Sequence, residues 1–381
     1  MKIAILTLPL NTNYGGILQA YALQTVLIRM GHDVTVLNHE SFWNRTKTFE
    51  KPLVYSKRFI KKFFLGKSYI HVTDAAYIRD IKIIGRNTQT FIDRYIHNRI
   101  LLSLHQLKNS DYDAYVVGSD QVWRFAYFNK TFGNDASMSD AFLDFTRGWN
   151  VKRIAYAASF GVSNLSDYSE KDINECRRAI KSFDAVSVRE KSGIDICQKY
   201  FGIRASWLID PTLLLTQNDY KNLINNNCKI KVCPKYIFSY IIDPTIRKQR
   251  IREQIAKDKK LNIYYSNNER INDKSLVASE RIQPSVESWI YGIANSDFVI
   301  TDSFHACVFS ILLHRQFVVI GNASRGMDRF ISLLEMFNLK DRLLVDEQYD
   351  ELKDIDYSSI DQILNIQRKR ALEFLNNNLS I

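Results

Sequence analysis

The sequence predicts an α/β protein built from two doubly wound halves, with a ligand crevice between them. Three observations lead to this prediction. The chain has 381 residues, which is long for one hydrophobic core. Short apolar runs alternate with stretches of helical spacing along both halves. Polar residues directly follow several of the apolar runs, and ligands of open α/β sheets gather at the carboxyl ends of the strands.

The first half opens with a strand, a turn, a helix and a second strand, predicted at Lys2–Leu8, Asn11–Gly16, Ile17–Met30 and Val34–Leu37. This order is the opening βαβ unit of a doubly wound sheet. Gly15 and Gly16 would allow the backbone to approach a ligand closely at the start of the helix.

Three further strands of this half are predicted at Ala114–Gly118, Val151–Ala158 and Ala185–Val188. Ser119 and Asp120 follow the first of them, and Arg189 follows the last. Together with Asn13 and Tyr14, these side chains are expected to point into one crevice.

The second half repeats the alternation, with strands predicted at Tyr236–Ile242, Leu261–Tyr265, Phe298–Thr301 and Phe317–Ile320. After the third of these strands, Asp302 and Ser303 supply N-cap chemistry, which places His305 in the first turn of a helix. Free backbone N–H groups and the helix dipole attract an anion there, so His305 could deliver a proton to a negatively charged substrate. The alternative is a capped helix whose histidine is a surface or packing residue.

The net charge of +11 is concentrated in a basic segment, residues 42–68, where eight basic residues face only Glu50. They are Arg45, Lys47, Lys51, Lys57, Arg58, Lys61, Lys62 and Lys67. Basic and apolar pairs alternate across Lys57–Leu65, which predicts a basic amphipathic helix. Such a helix either lies on an anionic membrane or packs its phenylalanines on its own domain.

The five cysteines are widely spaced and form no metal-binding pattern, which predicts a reducing compartment and no structural metal. The apolar N-terminal run lacks a cleavage site and is interpreted as a strand rather than a signal peptide. No apolar run approaches the roughly 20 residues of a membrane span. A cytoplasmic location is therefore expected.

Six segments, in order, resemble the polysaccharide pyruvyltransferase family. They are NYGGILQAYALQ (Asn13–Gln24), VVGSDQVW (Val116–Trp123), AYAASFG (Ala155–Gly161), SVREKSG (Ser187–Gly193), IDPTLLL (Ile209–Leu215) and TDSFHACVF (Thr301–Phe309). The resemblance implies two Rossmann-like domains in a GT-B-like layout, with the division set at 1–210 and 211–381. The first domain would carry the acceptor, the second phosphoenolpyruvate, and the C-terminal helix would pack back on the first.

The family's characterised members transfer pyruvate from phosphoenolpyruvate to two hydroxyls of a sugar, and the resemblance implies the same ketal-forming reaction here, without a cofactor. His305 would be the acid, Asp302 would orient it, and Asp120 would act as a base or contact the acceptor. Donor-binding candidates are Arg189, Ser303, Phe304, Arg325 and Arg329. Phe304 stands where some members have a basic residue. Acceptor or crevice candidates are Asn13, Tyr14, Gly15, Gly16 and Ser119.

The expected acceptor is a glycan precursor, with a lipid-linked oligosaccharide and peripheral contact with the inner face of the plasma membrane suggested by the basic segment. No nucleic-acid partner is expected. Two other functions stay open from the residues. One is a nucleotide-sugar-dependent GT-B glycosyltransferase of surface polysaccharide synthesis, and the other is a binding module without catalysis.

Overall fold

A computed structural model of the chain describes residues 1–39, 46, 48–66, 70–128, 136–225, 235–321, 326–344, 349 and 352–380. These residues form two parallel β-sheets with interleaved helices. The prediction of an α/β protein with two Rossmann-like, doubly wound domains is confirmed.

The first sheet has seven strands among the described residues: β1 (Lys2–Leu6), β2 (Asp33–His39), β3 (Asn98–Leu101), β4 (Ala114–Val117), β5 (Lys152–Ala158), β6 (Ala185–Val188) and β7 (Ser206–Trp207). They lie in the order β3-β2-β1-β4-β5-β6-β7. Every pair is parallel, with Ile5 opposite both Val36 and Val116. The direction of winding reverses between β1 and β4, and a sheet of this kind opens a ligand crevice at that point.

The second sheet has five strands in the described chain: β8 (Tyr236–Tyr240), β9 (Asn262–Tyr265), β10 (Phe298–Thr301), β11 (Gln316–Ile320) and β12 (Leu343–Leu344). Their order is β12-β11-β10-β8-β9, again all parallel. Here the winding reverses between β8 and β10, so the carboxyl ends of these two strands form the second crevice.

The described helices are α1 (Tyr14–Arg29), α2 (Lys51–Phe63), α3 (Asp74–Ile84), α4 (Arg86–Tyr95), α5 (Phe125–Phe128), α6 (Glu170–Ile180), α7 (Lys191–Ile196), α8 (Gln217–Asn225), α9 (Ile246–Lys259), α10 (Val286–Ala294), α11 (Phe304–Leu312), α12 (Asp328–Met336) and α13 (Tyr357–Leu379). No helix in the described part of the chain combines the length and apolar character needed to cross a membrane.

Helix α13 follows the second sheet but contacts the first domain. Arg368 donates to the carbonyls of Leu213 and Leu215, in the segment between the two sheets, at 2.6 and 2.7 Å. Lys152 of β5 donates to the carbonyl of Ser380 at 2.9 Å. The final helix therefore ties the second half of the chain back to the first.

Aromatic packing joins the two domains next to the crevice. The ring of Tyr14 stacks on that of Trp289 with 5.5 Å between centroids, and Tyr240 lies 5.7 Å from Tyr14. The Tyr14 hydroxyl donates to the carbonyl of Pro284 at 2.8 Å. Tyr14 and Trp289 are fully buried. These contacts fix the start of α1 against the second domain.

Helix α2 contains most of the described part of the basic segment, whose residues 42–45, 47, 67 and 68 lie outside the described chain. Its Phe59, Ile60 and Phe63 are exposed. The predicted amphipathic helix is present, but none of its residues is buried. The phenylalanines of α2 therefore do not pack on the helix's own domain, which was one of the two interpretations of the sequence.

Candidate active site

His305 lies in the first turn of α11, directly after β10. Ser303 is the N-cap, and its hydroxyl accepts from the amide of Ala306 at 3.4 Å. The Ser303 amide in turn donates to the hydroxyl of Thr301 at 2.9 Å. This places the His305 side chain, which is buried, at the end of a helix where N–H groups and the dipole favour an anion.

Gly15 of the first domain lies directly against the His305 ring. A Cβ built on Gly15 would lie 2.0 Å from His305 Nδ1, far closer than any side-chain carbon can approach. Helix α1 already begins at Tyr14, because the Ile17 amide donates to the Asn13 carbonyl at 3.0 Å. The sequence predicts Gly15 and Gly16 in a turn that precedes the helix. In the structure both lie in the first turn of α1 itself. Two helix N-termini, one from each domain, meet at the imidazole.

Asp210 lies on the other side of the imidazole. Its Oδ2 is 3.5 Å from His305 Nε2. The same oxygen accepts from Arg189 Nη1 at 2.7 Å and from the Ser119 hydroxyl at 2.8 Å, while Oδ1 accepts from the amide and hydroxyl of Thr212. Burial raises the pKa of Asp210, but the nearby His305 and Arg189 outweigh it and hold the pKa well below its usual range. Asp210 is a fixed negative charge beside the ring.

Arg189 is buried behind the crevice rather than lining it. Its Nη2 lies 3.9 Å from Asp120 Oδ1, and its Cζ lies 4.2 Å from the centroid of the Phe304 ring. Nε and Nη2 of Arg189 have no hydrogen-bond partner among the described residues. A guanidinium with two uncommitted donor atoms is suited to an anion that reaches this depth.

Arg329 of α12 lies on the crevice wall, with its Cζ 5.5 Å from the centroid of Phe304. Burial, followed by repulsion from Arg189, lowers the pKa of Arg329 to about 10. Phe304 therefore has two arginines beside its ring, which cation–π attraction stabilises. Arg325 lies outside the described residues.

Asp120 follows β4 and faces the crevice, with a φ of 72°. This left-handed backbone costs an L residue about 1–2 kcal/mol. Oδ1 of Asp120 accepts from the amide of Gln121 at 2.9 Å, and Oδ2 accepts from Asn13 Nδ2 at 3.5 Å. The strained conformation directs the carboxylate to the start of α1, where a Cβ on Gly16 would lie 3.4 Å from it.

Asp302 does not orient His305. Its Oδ1 accepts from the amide of Ile242 at 2.7 Å, and its Oδ2 accepts from the amide of Asp243 at 3.1 Å and from Lys248 Nζ at 2.6 Å. These bonds fix the loop after β8 beneath the crevice. The carboxylate beside His305 is Asp210, so the expected role of Asp302 is corrected on this point.

The expected role of Tyr14 as a crevice residue is also corrected. Its side chain is buried between the domains and does not reach the crevice. Ser119 is fully buried as well, and its hydroxyl contacts Asp210 and Arg189.

Glu190 is a buried residue near the site that was not among the predicted ones. Its Oε1 accepts from the Ser159 hydroxyl and from the amides of Phe160 and Gly161. In the sequence, Glu190 is signalled only by its place in the segment SVREKSG, and Asp210 by its place before Pro211 in IDPTLLL.

The crevice itself has a volume of about 240 Å³. Both switch points contribute to its wall, the first through Asn13 and Asp120 and the second through Ser303, Phe304 and His305. A second cavity, of about 660 Å³, shares the lining residues Thr12, Ile271 and Asn272 with it. The two cavities are therefore adjacent, and the larger one leads toward α2 and α3.

The second cavity is lined by isoleucines, two polar pairs, the ring of Tyr77 and the basic residues Lys274 and Arg281. Arg58 pairs with Asp74 at 2.7 Å, and His71 pairs with Asp80 at 2.8 Å. The ring of Tyr77 lies edge-on to His71, with 5.5 Å between centroids. A wall of this kind is suited to a ligand that has both apolar faces and polar groups, as a sugar has.

Comparison with known proteins gives one family and several distant structures. The model of the polysaccharide pyruvyl transferase family matches residues 13–324. Among solved structures, the UDP-GlcNAc 2-epimerase from Neisseria meningitidis is 11% identical, with a TM-score of 0.49 over 99% of this chain and 100% of that one. The UDP-GlcNAc 2-epimerase from Methanocaldococcus jannaschii is 11% identical, with a TM-score of 0.43 over 97% and 93%. No curated protein matches the sequence.

Proposed function

Since the chain belongs to the polysaccharide pyruvyl transferase family, we propose that it transfers pyruvate from phosphoenolpyruvate to two hydroxyls of one sugar in a glycan precursor and releases phosphate. The single observation that carries this proposal is the position of His305. An acidic side chain at a helix N-terminus, between Gly15 and Asp210, is what protonation of an anionic enol substrate requires.

Phosphoenolpyruvate carries a carboxylate and a phosphate, so its site needs N–H donors and cations. The first turn of α11 offers backbone N–H groups, and Arg329 lies on the same wall. Arg189 lies behind Phe304, close enough to complete the cationic side of the crevice. We assign phosphoenolpyruvate to the smaller cavity, between these groups and Asp120.

The reaction begins with proton transfer to the methylene carbon of phosphoenolpyruvate. His305 lines the crevice, with Nε2 facing Asp210 and Gly15 packed against Nδ1, and we assign delivery of the proton to this imidazole. The π electrons of the enol form the new C–H bond, and the adjacent carbon becomes an oxocarbenium-like cation. Asp210 compensates the charge that the imidazole carries before this step.

A sugar hydroxyl then attacks the cationic carbon and gives its proton to a base, for which Asp120 is placed on the crevice wall. The bond from this carbon to the phosphate oxygen breaks next, and the second hydroxyl takes its place. Its proton leaves with the phosphate. In the net reaction, one acceptor hydroxyl proton replaces the proton that His305 gave to the methyl group. The other leaves on the phosphate.

We assign the acceptor to the cavity of about 660 Å³, because it adjoins the crevice and its polar pairs and Tyr77 suit a sugar. The acceptor is proposed to be a lipid-linked oligosaccharide at the cytoplasmic membrane face. No cofactor is needed for this chemistry, which uses phosphoenolpyruvate as co-substrate.

The proposal is tested with the purified protein, phosphoenolpyruvate and purified lipid-linked oligosaccharides. We expect the oligosaccharide to gain the mass of pyruvate less water, together with one phosphate released for each acceptor modified. Calorimetry should show binding of phosphoenolpyruvate and none of UDP-sugars. Binding of a UDP-sugar without binding of phosphoenolpyruvate would instead favour a glycosyltransferase and refute the proposal.

A further inference from the structure

Helix α2 presents an apolar surface to solvent. Leu53, Ile60 and Phe64 lie on one face at helical spacing and are 63, 50 and 75% exposed. Phe63 beside them is 62% exposed, and its ring packs against Phe59 with 4.6 Å between centroids. Single exposed apolar residues are common on protein surfaces. A contiguous group of large apolar side chains is not, and it marks an interaction site.

The face of α2 that contacts the rest of the protein is its polar one. Arg58 donates to Asp74 at 2.7 Å, and the Tyr55 hydroxyl accepts from the Asp74 amide at 3.4 Å. An ordinary surface helix buries its apolar face and exposes its polar one. In the described part of the chain α2 does the reverse, so its apolar face is oriented for a partner outside this domain.

Charge identifies the partner. Lys57 and Lys61 lie one turn apart beside the apolar face, Lys51 and Lys62 lie on the same helix, and Glu50 is the one acidic residue among residues 48–66. A second copy of the chain would bring these lysines against each other, since a twofold contact pairs the same patch with itself. An anionic surface complements the lysines, and a bilayer interface also accepts the phenylalanines.

We propose that α2 docks the protein on an anionic phospholipid membrane, with Phe63, Phe64 and Ile60 at the acyl boundary and the lysines at the headgroups. Arg58 connects this surface to the site, because it belongs to α2 and also lines the cavity of about 660 Å³. Docking would bring the opening of that cavity to the lipid surface. Only this last consequence, the delivery of a lipid-linked acceptor, rests on the proposed function.

The test is sedimentation of the full chain with vesicles of phosphatidylcholine, with and without phosphatidylglycerol, at 0.1 M salt. We expect binding only to the vesicles that contain phosphatidylglycerol. Each lysine near an anionic surface contributes about fivefold to partitioning, so Lys57→Gln with Lys61→Gln should weaken it about 25-fold. Phe63→Ser with Phe64→Ser should weaken it tenfold or more.

The matched controls are on α13, where Ile366 is 60% exposed and the Lys369 side chain 79% exposed. Ile366→Ser with Lys369→Gln should leave vesicle binding unchanged. The proposal is overturned if the parent does not sediment, if it binds uncharged vesicles equally, or if the Phe63 and Phe64 variant binds like the parent. A dimer that the same variant dissociates, without vesicle binding, would assign the surface to a second copy and also overturn it.

Binding of phosphoenolpyruvate, measured by calorimetry without vesicles, keeps this inference separate from the proposed function. It should be equal in the parent and in all three variants. Vesicle binding without phosphoenolpyruvate binding would refute the proposed function alone. Phosphoenolpyruvate binding without vesicle binding would refute only the membrane inference.

Discussion

Nδ1 of His305 lies over the α-carbon of Gly15, at a distance that leaves no room for a side chain on residue 15. The two residues belong to different domains and to the first turns of α1 and α11. Their contact joins the two switch points of the fold. The position of the imidazole therefore depends on both sheets, although only one of them carries the histidine.

Gly15→Ala tests this contact. The new methyl group must displace the imidazole, because it would otherwise lie 2.0 Å from Nδ1. We expect kcat for phosphate release to fall about a hundredfold, the scale of a lost general acid. Gly16→Ala is the control, because its nearest contacts, the side chains of Asn13 and Asp120, would be at 3.2–3.4 Å, and shifts of a few tenths of an ångström relieve them. Equal kinetics for the two variants would show that the Gly15 contact does not position His305.

Asp210→Asn tests the carboxylate beside the ring. The substitution leaves the buried Arg189 without its closest counter-charge, and breaking a buried ion pair costs about 3–5 kcal/mol. Urea unfolding should show a loss of this size. Asp219→Asn is the comparison, since it breaks a more exposed pair with Arg29 and should cost about 1 kcal/mol or less. Similar losses in both variants would contradict the assignment of Asp210 to a buried charge cluster.

The pH dependence of stability gives a second measure of Asp210. Its pKa is lowered in the folded protein, so the unfolded chain binds the proton more tightly. The stabilisation is therefore complete above the unfolded pKa of about 3.9 and is lost as pH falls toward the folded value. The difference in unfolding free energy between parent and Asp210→Asn should shrink below about pH 4. A constant difference down to pH 3 would contradict the lowered pKa.

Arg329→Gln tests the cationic wall. Loss of a charge-assisted bond to the donor should weaken phosphoenolpyruvate binding by roughly 10- to 100-fold. Because burial lowers the pKa of Arg329 to about 10, binding by the parent should also weaken as pH rises through that value. The variant should lack this step. Arg370→Gln on the exposed side of α13 serves as the control, and an equal effect there would remove Arg329 from the donor site.

Asp302→Asn separates a structural carboxylate from a catalytic one. Because Asp302 pairs with Lys248 and two amides, its neutralisation should lower the unfolding free energy by about 3–5 kcal/mol. Below the temperature of unfolding, kcat should stay within a few-fold of the parent. A collapse of kcat with full stability would restore the role in catalysis that the sequence had suggested.

Local patterns predicted the fold and the place of His305 well. Strands β6 and β10 have the predicted bounds, because apolar runs and the turn residues that follow them are local signals. Asp210 was missed because its contacts are all long-range. Ser119 and Arg189 come from the ends of two different strands, and His305 comes from the second domain. Gly15 was predicted in a turn because glycine pairs are typical of turns. Its contact with His305, 290 positions later, is a long-range relationship that the sequence does not show.

The proposed function depends on proton transfer from His305 to the methylene carbon of phosphoenolpyruvate. Phosphate release and the mass of the product, followed for His305→Gln in heavy water, report on this step. The parent should place one deuterium in the new methyl group. The variant should bind phosphoenolpyruvate within a few-fold of the parent but release phosphate a hundredfold or more slowly. Release by the variant at the parent's rate, with the same deuterium content, would contradict the account.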